Sequence, residues 1–212
     1  MRRKKKKTIR NMLLFFLLLT IGGAVFLFFK NQKIYRQVMA LENEVIQKAE
    51  AYGVVEYSDL ILSMILTESK GLGLDPMQSS ESAHGEVGKT RVPEESIDQG
   101  ISYLAESLAL ADAAEVDLWT AVQAYNFGLD YIYFVKERGG VNELTLAEEY
   151  SRDYLAPQLG NHSQERYRYW RISSLLYNGG YLYYNGGNIF YAPSVKWNEQ
   201  KIQFFHFLAN LW

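Results

Sequence analysis

An uncharged apolar run near the N-terminus constrains this chain more than any other feature. Residues 12–29 contain no charged side chain and are mostly Leu and Phe. As an α-helix, such a run spans ~27 Å, close to the thickness of a bilayer's hydrocarbon core. The Lys/Arg cluster before it favours the cytoplasmic side. The run ends in FLFFKNQK, without the small-residue cleavage site of a signal peptide.

These features predict four segments. Residues 1–11 are expected to be a cytoplasmic basic segment, 12–29 a single transmembrane helix and 30–36 a short juxtamembrane linker. Residues 37–212 then form one domain on the extracellular side of the cell membrane. No low-complexity linker divides that domain, so we predict that it has a single core.

The charge distribution bears on the partners. Residues 1–36 carry ten Lys or Arg and no acid, whereas residues 37–212 carry twelve Lys or Arg and 24 Asp or Glu, a net charge of −12. An acidic domain lacks the clustered bases that phosphate contacts need, so we expect no nucleic-acid partner. The sequence has no cysteine, so the core alone must hold the domain together.

The pattern beyond the apolar run is mostly helical. Ser58 could cap a helix that ends before Gly71, Pro93 suits a first helical position, and Asp117 could cap LWTAVQAYNF. Thr145 and Glu148 fit a capping box. Two further helices are predicted in RYRYWRISSLLY and NEQKIQFFHFLANLW, and Asn185-Gly186 predicts a small β-hairpin within 181–191.

Glu68 is the residue whose setting most suggests chemistry. Residues 60–66 are apolar nearly all round, which predicts a buried helix, and Glu68 falls in its last turn. Burial and the carbonyls at the helix end both disfavour a carboxylate, so its pKa should rise. A carboxyl that stays protonated near neutral pH suits a general acid. The alternative is that Glu68 bends out to water or pairs with Lys70.

Three short motifs follow one another along the chain. They are Glu68-Ser69-x-Gly71, Met77-Gln78 and Ala124-Tyr125-Asn126-x-Gly128. In this order they resemble the motifs of the lysozyme-like lytic transglycosylases. The stretch ESKGLGLDPMQSSES further resembles a Gram-positive branch of that family, that of pneumococcal vaccine antigen A and of the muramidase domains of bifunctional cell-wall hydrolases. The resemblance extends over residues 37–212.

The resemblance implies an all-α, goose-type lysozyme or lytic transglycosylase domain with a small β-hairpin, behind the transmembrane helix. Such a domain would cleave the MurNAc-β-1,4-GlcNAc bond of peptidoglycan with Glu68 as the catalytic acid and without a cofactor. Tyr125 would hold Glu68. The remaining substrate-binding residues that the resemblance implies are Gln78, Asn126, Ser69, Ser79 and Ser80. The family's usual Gly-Leu-Met-Gln-Ile is replaced here by DPMQSS, which leaves the wall of the sugar site less well defined.

Two questions stay open at this stage. A glycosidase usually needs a second carboxylate, for which Asp75, Glu81 and Asp98 are candidates, whereas a lytic transglycosylase needs only the acid. The domain could also bind peptidoglycan without cutting it, as a scaffold in a cell-wall or conjugation complex. Metal catalysis is not indicated, because His84, His162 and His206 lie far apart without a ligand pair.

Overall fold

The computed structural model describes residues 2–79 and 92–209, and the described part is mostly helical, as predicted. In chain order the helices are α1 (Arg2–Met39), α2 (Glu42–Ala51), α3 (Ser58–Glu68), α4 (Pro93–Ala114), α5 (Leu118–Phe127), α6 (Asp130–Lys136), α7 (Leu144–Tyr150), α8 (Ile172–Asn178) and α9 (Tyr191–Ala209). Helix α7 continues through a π-helical turn, Ser151–Leu155, into Ala156–Gln158. Two short strands, β1 (Arg166–Arg168) and β2 (Tyr181–Tyr183), complete the fold.

Helix α1 is long enough and apolar enough to cross a membrane. Its apolar side chains from Met12 to Phe29 are exposed and pack against no other part of the described chain except at the C-terminal end. Residues 30–36, which the sequence suggests as a linker, are helical and continue α1 without a break to Met39.

The core surrounds α3. The side chains from Leu60 to Ile65 are buried on every face of this helix, because α2, α9 and the end of α1 pack around it. A second apolar cluster lies between α4, α5, α6 and α7, around the aromatic rings of Phe127, Tyr131 and Tyr150. Helix α5 contributes to both clusters, so its far end is held next to the C-terminal end of α3.

The small β element is present, but its strands differ from those predicted. Residues 166–168 pair antiparallel with residues 181–183, and α8 lies between the two strands. The Arg-Tyr-Arg alternation has the period of a strand, and the Arg168 guanidinium lies 4.1 Å from the centre of the Tyr181 ring. The Asn185-Gly186 turn follows β2 and leads into α9 rather than into a returning strand.

The predicted helix ends are partly correct. Asp117 caps α5 by accepting a hydrogen bond from the Thr120 N–H (3.1 Å), and Pro93 begins α4. The prediction for Ser58 is wrong, because a 3₁₀ turn runs directly into α3 and the hydroxyl donates to the Val55 carbonyl instead.

The capping box predicted for α7 is also wrong. Helix α7 begins at Leu144, with Glu143 in the extended conformation before it, so Thr145 already lies inside the helix. The Glu148 carboxylate instead accepts a hydrogen bond from the Tyr177 hydroxyl (2.9 Å).

Candidate active site

Glu68 is the last residue of α3, at the end of the buried helix that the apolar run predicts. Its side chain is largely enclosed, and this burial raises the pKa of the carboxyl to about 7. The negative charge of Asp75 raises the pKa further, whereas the Tyr191 hydroxyl lowers it. Close to half of the carboxyl groups are therefore protonated at neutral pH. Lys70 forms no ion pair with Glu68 within the described residues.

Tyr191 is the neighbour that sequence reasoning missed. It lies in the first turn of α9, and its hydroxyl is buried beside the Glu68 carboxyl. The two groups interact but do not reach full hydrogen-bond geometry, and the hydroxyl has no other partner among the described residues. Nothing local distinguishes Tyr191 from the many other tyrosines of this chain, because its proximity to Glu68 arises only when α9 packs against α3.

Helix α5 fixes the position of Tyr191. The Gln123 side chain is fully buried, donates to the Asn188 carbonyl (3.0 Å) and accepts from the Ala192 N–H (3.1 Å). One turn later, the Asn126 side chain accepts from the Asn188 N–H (2.7 Å). Asn126, which the resemblance assigns to the sugar site, here holds the segment that leads into α9.

The structure gives Tyr125 a different partner from the one expected. Its hydroxyl donates to the Met77 carbonyl (3.0 Å) rather than to Glu68. Tyr125 still lies close to Glu68: burial raises the pKa of the Tyr125 hydroxyl, and the charge of Glu68 raises it further. The Tyr125 ring stacks on Tyr191, with centroids 6.2 Å apart, and also contacts Tyr103 (5.5 Å). The three tyrosines form an aromatic row beside the acid.

Residues 75–79 form a tight turn that is pinned to the first turns of α4. The Asp75 carboxylate accepts from the Ser79 N–H (2.9 Å) and from the Ser96 hydroxyl (2.6 Å). Ser96 also accepts from the Met77 N–H (3.0 Å). The buried Met77 packs over Gly100 so closely that a Cβ there would lie 2.6 Å from the sulfur. This turn therefore needs a glycine beneath it.

The other predicted substrate-binding residues have different settings. Gln78 is exposed, with φ +51°, and its side chain donates to the Asp75 carbonyl (2.9 Å). Ser79 is buried and donates to the Ser96 carbonyl (2.9 Å), and Ser69 donates to the Pro76 carbonyl (2.8 Å). Ser69 and Ser79 thus hold the turn together. Ser80 lies outside the described residues.

Of the two candidate second carboxylates that the structure describes, Asp75 and Asp98, it is Asp75 that lies near Glu68 and raises its pKa. Asp98 pairs with Lys48 (3.0 Å) and accepts from the Tyr52 hydroxyl (3.3 Å), and it does not contribute to the pKa of Glu68. Glu81 and His84 lie outside the described residues. Among the residues that the structure describes, no group of three or more His, Cys, Asp or Glu side chains could hold a metal ion.

The lysozyme-like family profile matches residues 35–199, which include α3, α5, the turn at 75–79 and the first nine residues of α9. The chain belongs to the lysozyme-like family. This membership confirms the resemblance inferred from the sequence motifs and accounts for the helical fold with its small antiparallel pair.

Three relatives place this lysozyme-like chain more closely. Pneumococcal vaccine antigen A of Streptococcus pneumoniae serotype 4 is 40% identical over 187 residues, 86% of this chain and 91% of its own. The bifunctional muramidase/DL-endopeptidase CwlT of Bacillus subtilis is 36% identical over 104 residues, 49% of this chain and 31% of CwlT. The uncharacterized membrane protein YocA of Bacillus subtilis is 40% identical over 129 residues, 58% of this chain and 57% of YocA.

A solved structure has the same fold. The Staphylococcus aureus protein described as similar to lipoprotein, NLP/P60 family, superposes with a TM-score of 0.69 and 31% sequence identity. The match covers 77% of this chain and 52% of that one. The lysozyme-like domain and the muramidase relative together indicate a protein of the cell-wall hydrolase class.

Proposed function

We propose that this chain is a membrane-anchored enzyme that cleaves peptidoglycan glycan strands at the MurNAc-β-1,4-GlcNAc bond. The observation that carries the proposal is the Glu68 carboxyl, largely enclosed at the end of α3 with its pKa raised to about 7. An acid of that pKa is protonated often enough at neutral pH to donate a proton, and its conjugate base is strong enough to accept one.

The residues around Glu68 suit the two steps of such a reaction. In the first step, Glu68 protonates the glycosidic oxygen as the bond to C1 of the muramoyl residue breaks. The carboxylate that remains is stabilised by the nearby Tyr191 hydroxyl, because this hydroxyl favours the ionised form. In the second step, Glu68 takes a proton from the nucleophile that attacks C1.

The nucleophile decides between two reaction classes. Attack by water gives a reducing muramic end, as in a muramidase, and attack by the muramoyl 6-hydroxyl gives a 1,6-anhydro end, as in a lytic transglycosylase. We assign Asp75 a positioning role, because its carboxylate is bonded to Ser79 and Ser96. Its charge also keeps the pKa of Glu68 high. The proposal therefore needs no second catalytic carboxylate.

We further propose that α1 anchors the enzyme, with the basic N-terminus in the cytoplasm and the lysozyme-like domain facing the wall. The support is the apolar length of α1 together with the Lys/Arg cluster before it. Protease treatment of spheroplasts tests this topology with an antibody against the C-terminus. Protection of the domain until the membrane is permeabilised would contradict it.

Digestion of purified peptidoglycan by the full chain in detergent tests the chemistry. Glu68→Gln keeps the shape and removes the proton, so cleavage should fall by ~10²–10⁴-fold. Glu199→Gln is the matched control, since Glu199 is also a part-buried carboxyl with a raised pKa but lies on α9 near Asp59. It should leave cleavage unchanged.

Mass spectrometry of the products then separates the reaction classes. Anhydro ends, lighter by one water, identify a transglycosylase, and reducing ends identify a muramidase. Equal cleavage by the Glu68→Gln variant and the unaltered chain would contradict the proposed role of Glu68. Binding of peptidoglycan without any cleavage by the unaltered chain would instead make it a scaffold protein.

A further inference from the structure

A basic groove lies next to the active site but does not contain Glu68. It has a volume of about 700 Å³ and runs between the end of α1, the end of α3, the segment 169–173 and α9. Four cationic residues line it, and none of the described lining residues is acidic. The four are Lys30, Lys70, Arg171 and Lys201. This composition is unusual in a domain whose net charge is −12.

No described carboxylate pairs with the cations of the groove. Within the described part of the chain, none of the four forms an ion pair. The Lys201 ammonium donates to the Asn198 side-chain oxygen (3.1 Å), a neutral partner. Burial lowers the pKa of Lys201, and the nearby charge of Arg171 lowers it further. Two cations that line the same groove and influence each other electrostatically are suited to bind an anion.

Among the described residues, three large exposed apolar side chains line the groove, and three more are exposed nearby on α8 and the end of α9. Their exposed fractions range from 51% for Phe204 to 83% for Leu176. The members of this apolar rim are Trp170, Ile172, Leu176, Trp197, Phe204 and Phe207. A soluble protein rarely leaves so many large apolar groups together in water, so the rim marks a contact surface.

The rim lies at the height of the end of the apolar span. Phe28, near the end of the span, contacts Phe205 of α9 with ring centroids 5.9 Å apart. Tyr35, two turns further along α1, stacks on the same Phe205 ring at 4.9 Å. The final turns of α9, which carry Phe204 and Phe207, therefore begin at the level where α1 would leave the hydrocarbon.

We propose that the apolar rim and the basic groove bind the surface of the anionic phospholipid bilayer in which α1 is anchored. Aromatic side chains prefer the interface between headgroups and acyl chains, and Lys and Arg beside them bind headgroup phosphates. The continuity of the rim with the span and the sign of the groove's charge identify this occupant. The inference rests on the proposed anchoring by α1, but not on the chemistry of Glu68.

Fluorescence quenching in vesicles tests whether the apolar rim lies at the bilayer surface. The full chain, with Trp212→Phe, is reconstituted in vesicles of phosphatidylglycerol and phosphatidylcholine whose acyl chains are brominated near the headgroup. Tryptophan emission should be quenched in the starting chain and much less in a Trp170→Phe/Trp197→Phe variant. Trp119→Phe is the control, because Trp119 packs against the core and the Lys196 ammonium, so quenching of the remaining fluorescence should persist.

The same vesicles separate the failure of this inference from the failure of the anchor. A chain that does not float with the vesicles has no anchor, and the whole proposal falls with it. If the chain floats with the vesicles but Trp170 and Trp197 are not quenched, the chain is anchored and its apolar rim does not contact the bilayer. That outcome contradicts this inference but leaves the proposed anchor intact.

The charge of the groove is tested with Arg171→Gln/Lys201→Gln. In phosphatidylglycerol vesicles, the ratio of domain in contact with the bilayer surface to domain away from it should fall roughly tenfold or more, because two favourable surface charges are lost. In pure phosphatidylcholine the variant and the starting chain should behave alike. If the variant contacts the bilayer normally but no longer binds soluble anionic wall polymer, the groove binds that polymer and the lipid assignment is wrong.

Discussion

The Glu68 carboxyl has two tyrosine hydroxyls near it, and they have different partners. The Tyr191 hydroxyl lies beside the carboxyl and favours the ionised form, whereas Tyr125 donates to the Met77 carbonyl and supports the turn at 75–79. The first hydroxyl tunes the acid, and the second positions its surroundings. Substitution of each by Phe therefore has a different expected effect.

Tyr191→Phe should raise the pKa of Glu68 further, because it removes the one group that lowers it. The alkaline limb of the pH–rate profile for peptidoglycan cleavage should move to higher pH. Tyr125→Phe is the comparison: it should reduce the rate without moving the limb, because it removes only a bond to the main chain. Identical shifts in the two variants would contradict these assignments.

The stability of the protein should depend on Glu68 in the same pH range. The pKa is raised from 4.5 to about 7, so the folded state holds its proton while the unfolded chain releases it. The contribution of Glu68 to stability is full below pH 4.5 and is lost as the pH rises through 7. Glu68→Gln should thus match the unaltered chain at pH 4 and exceed it by roughly 3 kcal/mol at pH 8.

Denaturation of the full chain in detergent at both pH values measures this difference. A difference that is the same at pH 4 and pH 8 would show that the carboxyl does not titrate abnormally. The rate of peptidoglycan cleavage tests the pKa of Glu68 independently. About a tenth of the Glu68 carboxyl groups remain protonated one unit above the pKa, so cleavage should be roughly tenfold slower at pH 8 than at pH 6.

At the scale of elements, Ser96 in the first turn of α4 connects the turn at 75–79 to the core. Its hydroxyl donates to Asp75 and accepts from the Met77 N–H, and its carbonyl accepts from Ser79. Ser96→Ala should cost about 1–3 kcal/mol of stability, because buried partners lose their hydrogen bonds. It should also lower peptidoglycan cleavage at a temperature where the variant is fully folded.

Ser107→Ala on the same helix is the control for that experiment. Ser107 is equally buried, but its hydroxyl donates only to the Ala121 carbonyl (2.9 Å), away from the turn. It should lose stability without losing activity in the folded protein. Equal losses of activity in the two variants would show that Ser96 acts through stability alone.

The elements also show which features the sequence could predict. The cap at Asp117, the start at Pro93 and the buried α3 were predictable because each depends on residues within one or two turns. Strand β1 was predicted as helix, since its partner lies beyond α8 and only the pairing reveals it. Tyr191 was missed for the same reason: its place beside Glu68 depends on α9 packing against α3.

At the scale of the whole molecule, the continuity of α1 determines how the domain is attached. Residues 30–36 were expected to be a linker, but they are helical, and Tyr35 packs on α9. Only about ten helical residues, roughly 15 Å, separate the end of the apolar run from the end of α1. The domain is thus connected by a short rod rather than by a flexible tether.

A flexible insertion tests this attachment. Twelve Gly/Ser residues after Asn31 would add a reach of roughly 20 Å, so enzyme in vesicles should release more muropeptide from purified sacculi than the unaltered chain does. In detergent the two should be equally active. If the insertion changes nothing in vesicles, the attachment does not limit access.

The unbroken α1 helix has a consequence for timing. If new wall strands are inserted at the membrane, the older strands lie progressively farther from it. If the chain is anchored and cleaves glycan strands as proposed, an enzyme held at one height above the membrane would meet each strand only while that strand passes its cleft. Under the proposed function, the length of α1 beyond the apolar run would set the age of the strands that are cut, so lengthening or shortening α1 by one turn would change when cleavage occurs rather than which bond is cleaved.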